Sequence, residues 1–268
     1  MELIGKTLIS QAPTSPVVGL EICVDSAAGL SAAAENGADR IELCAALSEG
    51  GLTPSKGMME LAALASIPIR AMIRPRAGNF IYSTAELTVM RRDIEQAASC
   101  DLDGVVLGCN RDSGELDETA LAELVAHAHE FRLKVTLHRS FDLVPDPLRA
   151  LQIATALRID TVLTSGLQAT AALGLDVIAE LVRAARNGKG GTAIEIMAGS
   201  GVTPSNVERL IRQTGVNFVH SSSSRSRGDR NEDGDRLGLY TTALRETDPS
   251  RIAQLRNAID QVSMELLR

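Results

Sequence analysis

A chain of 268 residues is long enough to bury one large core or two smaller ones. Its 34 acidic side chains outnumber 27 basic ones, and a formal net charge of −7 argues against nucleic acid or an anionic membrane surface as a partner. Aromatic residues make up only 2% and Trp is absent, so the core must rest on Leu, Ile, Val, Ala and Met.

Met1 to Gly19 carries one Lys among Pro, Ser and Thr, with no long apolar stretch and no cleavage site. It reads as an N-terminal extension, residues 1–18, rather than as a signal peptide. No apolar run approaches the ~20 residues that a membrane helix needs. Residues 19–268 read as one domain. From Leu20 the chain repeats a single grammar of short apolar strand, loop and amphipathic helix. The strand candidates are Leu20–Val24, Arg40–Cys44, Pro68–Arg74 and Asp103–Gly108. Lys134–His138, Thr161–Ser165, Thr192–Met197 and Asn217–Ser221 continue the series. Helices are predicted over Ser83–Ser99, where Ser83 and Glu86 have capping-box spacing, over Asp117–Phe131, and over Thr203–Thr214 with Thr203 as cap and Pro204 leading. Eight units of roughly 25 residues, with no inserted domain, predict an α/β fold: a closed (β/α)8 barrel of the TIM type.

The grammar stops after Ser222. A polar stretch over residues 222–248 is too charged to bury and reads as a solvated loop, although Arg225, Arg227 and Arg230 have the charge to close over an anion. An extra C-terminal helix is predicted over 249–268, with Asp248 as cap and Ile252, Leu255, Ile259 and Val262 on one face.

Strand residues alternate between faces. That parity turns Leu20, Ile22, Val24, Ile41, Leu43, Val105, Leu107, Val135 and Leu137 toward the outer helices. The inward set is then unusually polar: Glu21, Cys23, Glu42, Cys44, Arg70, Arg74, Thr136, His138, Glu195 and His220. Unpaired buried charges cost several kcal/mol each, so these groups should pair inside the barrel or face a wet mouth.

Four clusters carry candidate chemistry at the carboxyl ends of strands, where this fold binds ligands. Cys23 and Cys44 fall on neighbouring strands about 4.8 Å apart, and thiolates suit copper(I) or zinc, although two cysteines make no closed zinc set. The alternative is two small buried hydrophobes. Cys109 is a candidate third mouth thiol, and Cys100 reads as structural. Arg74-Pro75-Arg76 is a stiff cationic pair fit for a carboxylate or phosphate, or for neutralising Glu42 or Glu21. His138-Arg139-Ser140-Phe141-Asp142 places a histidine near a carboxylate, as an acid–base pair or a hydrogen-bonded core histidine. Gly199 and Gly201, ahead of the helix opened by Thr203, have the composition of an anion-binding turn. His127 and His129 read as surface residues of a helix. Four cysteines in a chain too large to need disulfides point to a reducing cytoplasm.

Taken in order, Glu21-Ile22-Cys23-Val24-Asp25, the run from Ala38 through Gly57 and Met72-Ile73-Arg74-Pro75-Arg76 resemble the copper homeostasis protein CutC family. The resemblance continues through Asp103-Gly104-Val105-Val106, His138-Arg139-Ser140-Phe141-Asp142, Val162-Leu163-Thr164-Ser165-Gly166 and Val219-His220-Ser221, from about Leu20 to Ser222. It implies a cytoplasmic TIM-type barrel, a homo-oligomer (dimer or tetramer), binding copper(I) in copper trafficking. The family's thiols fall on Cys23 and Cys44, and its mouth residues on Glu42, Arg74, Arg76, His138, Arg139 and Asp142. The competing expectation is an enzyme acting on a small anionic substrate. There Arg74, Arg76, Arg139, Gly199 and Gly201 would hold the anion, His138 would transfer protons, and Asp142 or Glu42 would orient it. A third is a scaffold whose polar interior is structural.

Overall fold

The computed structural model describes residues 18–187, 194–226, 237 and 245–268. Eight parallel strands close a barrel in chain order: β1 (Gly19–Val24), β2 (Arg40–Leu43), β3 (Ile69–Met72), β4 (Gly104–Leu107), β5 (Lys134–Leu137), β6 (Thr161–Thr164), β7 (Glu195–Ala198) and β8 (Phe218–Ser221). β8 pairs back onto β1 with Glu21 opposite His220. A helix follows each strand in turn: α1 (Ala27–Glu35), α2 (Lys56–Ala62), α3 (Thr84–Ser99), α4 (Glu118–Glu130), α5 (Pro147–Ala156), α6 (Leu175–Asn187), α7 (Val207–Thr214) and α8 (Pro249–Leu266). This is the predicted (β/α)8 TIM-type barrel with its C-terminal helix.

Local chemistry starts the helices where the sequence asks for it. Ser83 and Glu86 form a reciprocal capping box on α3, and Asp117 caps α4. Asp248 caps α8 ahead of Pro249, and Ile252, Leu255, Ile259 and Val262 are buried as expected. The predicted start of α7 is corrected. The Asn206 side chain accepts from the Thr203 amide and donates to the Gly201 carbonyl, so Thr203 to Asn206 form a turn and the helix begins at Val207. The ends of the expected polar loop are likewise corrected: β9 (Ser224–Ser226) and β10 (Arg245–Thr247) pair as an antiparallel ribbon. There Arg225 binds Glu246 at 2.7 Å. Arg227, Arg230, the remaining loop positions apart from 237, residues 1–17 of the predicted extension and the predicted start of the seventh strand at Thr192 lie outside the described residues.

The barrel has two buried layers. Outside it, Leu20, Ile22, Val24, Ile41, Leu43, Val105, Leu107, Val135 and Leu137 pack under the helices, as strand parity predicts. Inside, the amino-terminal end is filled by paired charges. Arg40 binds Glu21 at 2.5 Å and Glu195 at 3.1 Å, and lies 4.0 Å over the Phe218 ring. Arg70 donates to the Thr136 and Thr161 hydroxyls at 2.5 and 2.8 Å, and Thr161 donates to Glu195 at 3.0 Å. Gly19 is what lets Phe218 enter this layer, since a Cβ there would strike the ring. With that end plugged, the polar groups further along the strands face the carboxyl-terminal mouth.

Candidate functional site

The mouth is a cavity of about 940 Å³ whose lining includes Cys23, Glu42, Met72, Arg74, His138 and His220. Three of these converge. β1 lies between β8 and β2, with Cys23 in register with Glu42 and Glu21 in register with His220. Cys23 Sγ, a Glu42 carboxylate oxygen and a His220 ring nitrogen consequently all lie within 4.8 Å of one another, every one of them buried. His220 Nδ1 is 2.8 Å from Glu21 Oε1, and its Nε2 is 3.8 Å from Glu42 Oε2. Glu21 thus orients the ring so that Nε2 faces the cluster.

The electrostatics follow from burying ionisable groups this close together. Burial opposes ionisation of Glu21, but Arg40 and His220 outweigh it and hold the carboxyl down to about 2. Burial pushes Glu42 up to about 7, against the pull of His220. Burial also disfavours the charged form of His220, yet Cys23, Glu42 and Glu21 raise it well above its ordinary value. The Cys23 thiol is raised by burial, with His220 pulling the other way. Near neutrality the cluster therefore holds protons that a cation would displace.

Of the two thiols singled out in the sequence, only Cys23 belongs to this group. Cys44 packs with Met72 and Val106, and its Sγ lies 3.7 Å from Glu42 Oε2. Burial and Glu42 raise its thiol well above the usual range. Cys109, expected as a third mouth thiol, is in the apolar core, where burial raises it to about 12. Cys100 is in the same core. His127 lies on the outside, its two ring nitrogens 3.3 Å from carboxylate oxygens of Glu95 and Glu130.

The arginines fare differently from one another. Arg76 is committed to Glu86 and to the carbonyls of Ala77, Asn79 and Ile81, away from the cavity wall. Arg139 lines the cavity rim but binds Asp142 at 2.7 Å, Ser165 Oγ at 2.8 Å and the Gln168 carbonyl. Arg74, 5% exposed, donates to the carbonyls of Glu49, Gly51 and Gly78 at 2.8, 3.1 and 2.8 Å. Asp142 accepts from Thr164 Oγ1, from Ser165 and from the Leu167 amide, tying the short 3₁₀ helix Arg139–Leu143 to the loop after β6. Gly199 lies against Leu163 and His220, where a Cβ would crowd both, whereas Gly201 lines the cavity at φ +69°. His138 points inward as parity requires; its Nδ1 accepts from the Ser140 amide at 3.1 Å, and its ring lies 4.6 Å from Phe80.

His220 of the cluster and Glu21, which orients it, are less prominent in the sequence than their geometry warrants. Parity turned Glu21 and His220 inward. Their meeting depends on barrel closure, which makes the last strand a neighbour of the first.

The fold and this mouth define a TIM-type barrel with a buried Cys–Glu–His cluster at its carboxyl-terminal end. The family model of the CutC family matches residues 18–225, and the chain belongs to that family. A CutC family protein from Sinorhizobium medicae (strain WSM419) is 44% identical over 244 residues, covering 91% of this chain and 97% of the relative. One from Vibrio vulnificus (strain CMCP6) is 44% identical over 209 residues, covering 78% and 82%. Among solved structures, a CutC from Streptococcus agalactiae named for copper homeostasis matches with a TM-score of 0.71 and 31% identity, over 76% of this chain and 98% of that one. N-(5'-phosphoribosyl)anthranilate isomerase from Pyrococcus furiosus, at 14% identity and a TM-score of 0.54 over 91% of this chain and 99% of its own, shares the fold alone.

Proposed function

We propose that the chain binds copper(I) as cargo at the barrel mouth, with Cys23 and His220 as principal donors and Glu42 on the third side. The observation that carries this is the convergence of those three donors within 4.8 Å. Thiolate and imidazole both suit copper(I), whereas a carboxylate is the hardest of the three and contributes least to such an ion. Glu21 at 2.8 Å from His220 Nδ1 is the carboxylate partner that metal-binding histidines ordinarily have on their other nitrogen. Three protein donors leave one side of the ion open to the cavity, which suits an ion taken up and handed on better than a permanent structural one. The name of the Streptococcus agalactiae relative supports copper as the ion. All four cysteines are free thiols, which supports the reducing cytoplasm as the setting.

Competition of the protein with a chromophoric copper(I) chelator tests this. Cys23→Ser and His220→Ala should each weaken binding about 100-fold, and Glu21→Gln about tenfold through the histidine it orients. Cys44→Ser should stay within about threefold, since Cys44 is outside the converging group. Affinity should fall as pH falls, because binding must displace protons from Cys23 and His220. Unchanged affinity in Cys23→Ser would sink the proposal, and tighter binding of zinc than of copper(I) would reassign the ion.

A further inference from the structure

In the same mouth as the Cys–Glu–His cluster, the wall made by the ends of β3 and β5 carries unmet hydrogen-bonding capacity of the opposite sense. The Ser140 amide donates to His138 Nδ1, which leaves the ring proton on Nε2. That Nε2–H is buried and has no partner among the described residues. Arg74 Nε is in the same condition, buried and unpartnered. Both side chains are more than nine-tenths buried, both line the cavity, and the Phe80 ring touches both, 4.9 Å below the guanidinium and 4.6 Å from the imidazole.

Charge sharpens the point. Arg76 is matched by Glu86 and Arg139 by Asp142, but Arg74 bonds only to neutral carbonyls and has no carboxylate partner among the described residues. A buried guanidinium without a counter-ion and two buried N–H groups without acceptors are each unfavourable, and one anion would relieve all three. We infer that Arg74 Nε and His138 Nε2 bind the carboxylate of a small organic acid in the mouth, beside the Cys–Glu–His cluster. A carboxylate fits better than a phosphate. Its single charge matches the single guanidinium beside a neutral imidazole, and its two oxygens match two donors. A phosphate dianion would bring a second negative charge that the single unpaired guanidinium does not match. The neutral state of His138 agrees with its surroundings, since burial and Arg74 lower it to about 3.

The site does not rest on the copper reading, and its test is made on metal-free protein kept in chelator. Pyruvate, lactate and inorganic phosphate are titrated into ¹⁵N-labelled protein. The side-chain spectrum of its four histidines and calorimetry are read together. Pyruvate and lactate should shift the His138 Nε2–H resonance saturably, and phosphate should not compete. His138→Asn keeps an acceptor near the Nδ1 position but loses the far donor, and should bind pyruvate at least about tenfold more weakly. His138→Gln, whose amide reaches the Nε2 position, should stay within about threefold of wild type. Absence of a saturable His138 shift in the wild type would overturn the inference, whatever the variants do. So would equal affinity in His138→Asn, or displacement of pyruvate by phosphate. Copper(I) binding that persists when the carboxylate fails, or the reverse, separates the two sites.

Discussion

Burial and the neighbouring Arg74 hold the His138 imidazole down to about 3, against an ordinary value of 6.5, so the ring is neutral in the folded protein but charged in the unfolded chain at mildly acid pH. The unfolded state therefore binds the extra proton between about 6.5 and about 3, and the contribution is fully present above that window. It is lost as pH falls through it, at up to about 1.4 kcal/mol per pH unit. Urea unfolding at pH 7 and pH 5 should show wild type losing more stability than His138→Gln. Equal losses would mean that the histidine is not buried as described. At this scale parity alone found the inward set, because alternation is a property of one strand. It did not separate Cys23 from Cys44. Their difference arises after β2 ends at Leu43, where the chain leaves the strand and Cys44 turns to Met72 and Val106.

Between elements, Asp142 acts as a tie rather than as a reactive group. It accepts from Thr164, Ser165 and Leu167 on the loop after β6 and pairs with Arg139 beside it. Asp142→Ala strands those buried donors and should lower stability by about 3 kcal/mol, while copper(I) affinity stays at the wild-type level. A loss of copper affinity with stability intact would contradict the tie. Gly108 has a comparable role after β4, where a Cβ would collide with Ser140 Oγ and come within 2.6 Å of the His138 ring. Gly108→Ala should thus disturb the histidine without touching Cys23 or His220, which chemical shifts of the two rings would report. The helices were legible as elements from capping residues and apolar spacing. The start of α7 was not, because Asn206 turns its side chain back to Thr203 and Gly201, a local competition that periodicity does not record.

For the whole molecule, eight repeats of strand and helix were enough to read a closed barrel, since the period and the lack of an insertion leave few other ways to pair the strands. The pairing of charges inside it was not readable. Which acid meets which base depends on strand stagger, and the outcome is Arg40 bridging Glu21 and Glu195 at the plugged end. Arg40→Met should cost about 3–5 kcal/mol, because it leaves the buried Glu21 and the half-buried Glu195 without their cation. An unfolding midpoint unchanged by that substitution would show the plug to be wet. The same closure brings His220 beside Cys23 and Glu42, so the metal proposal stands on the topology as much as on the residues. X-ray absorption at the copper edge of the copper(I)-loaded protein tests it most directly. The account predicts one sulfur together with nitrogen or oxygen in the first shell, unchanged in Cys44→Ser. Two sulfurs in the wild type, falling to one in that variant, would contradict it.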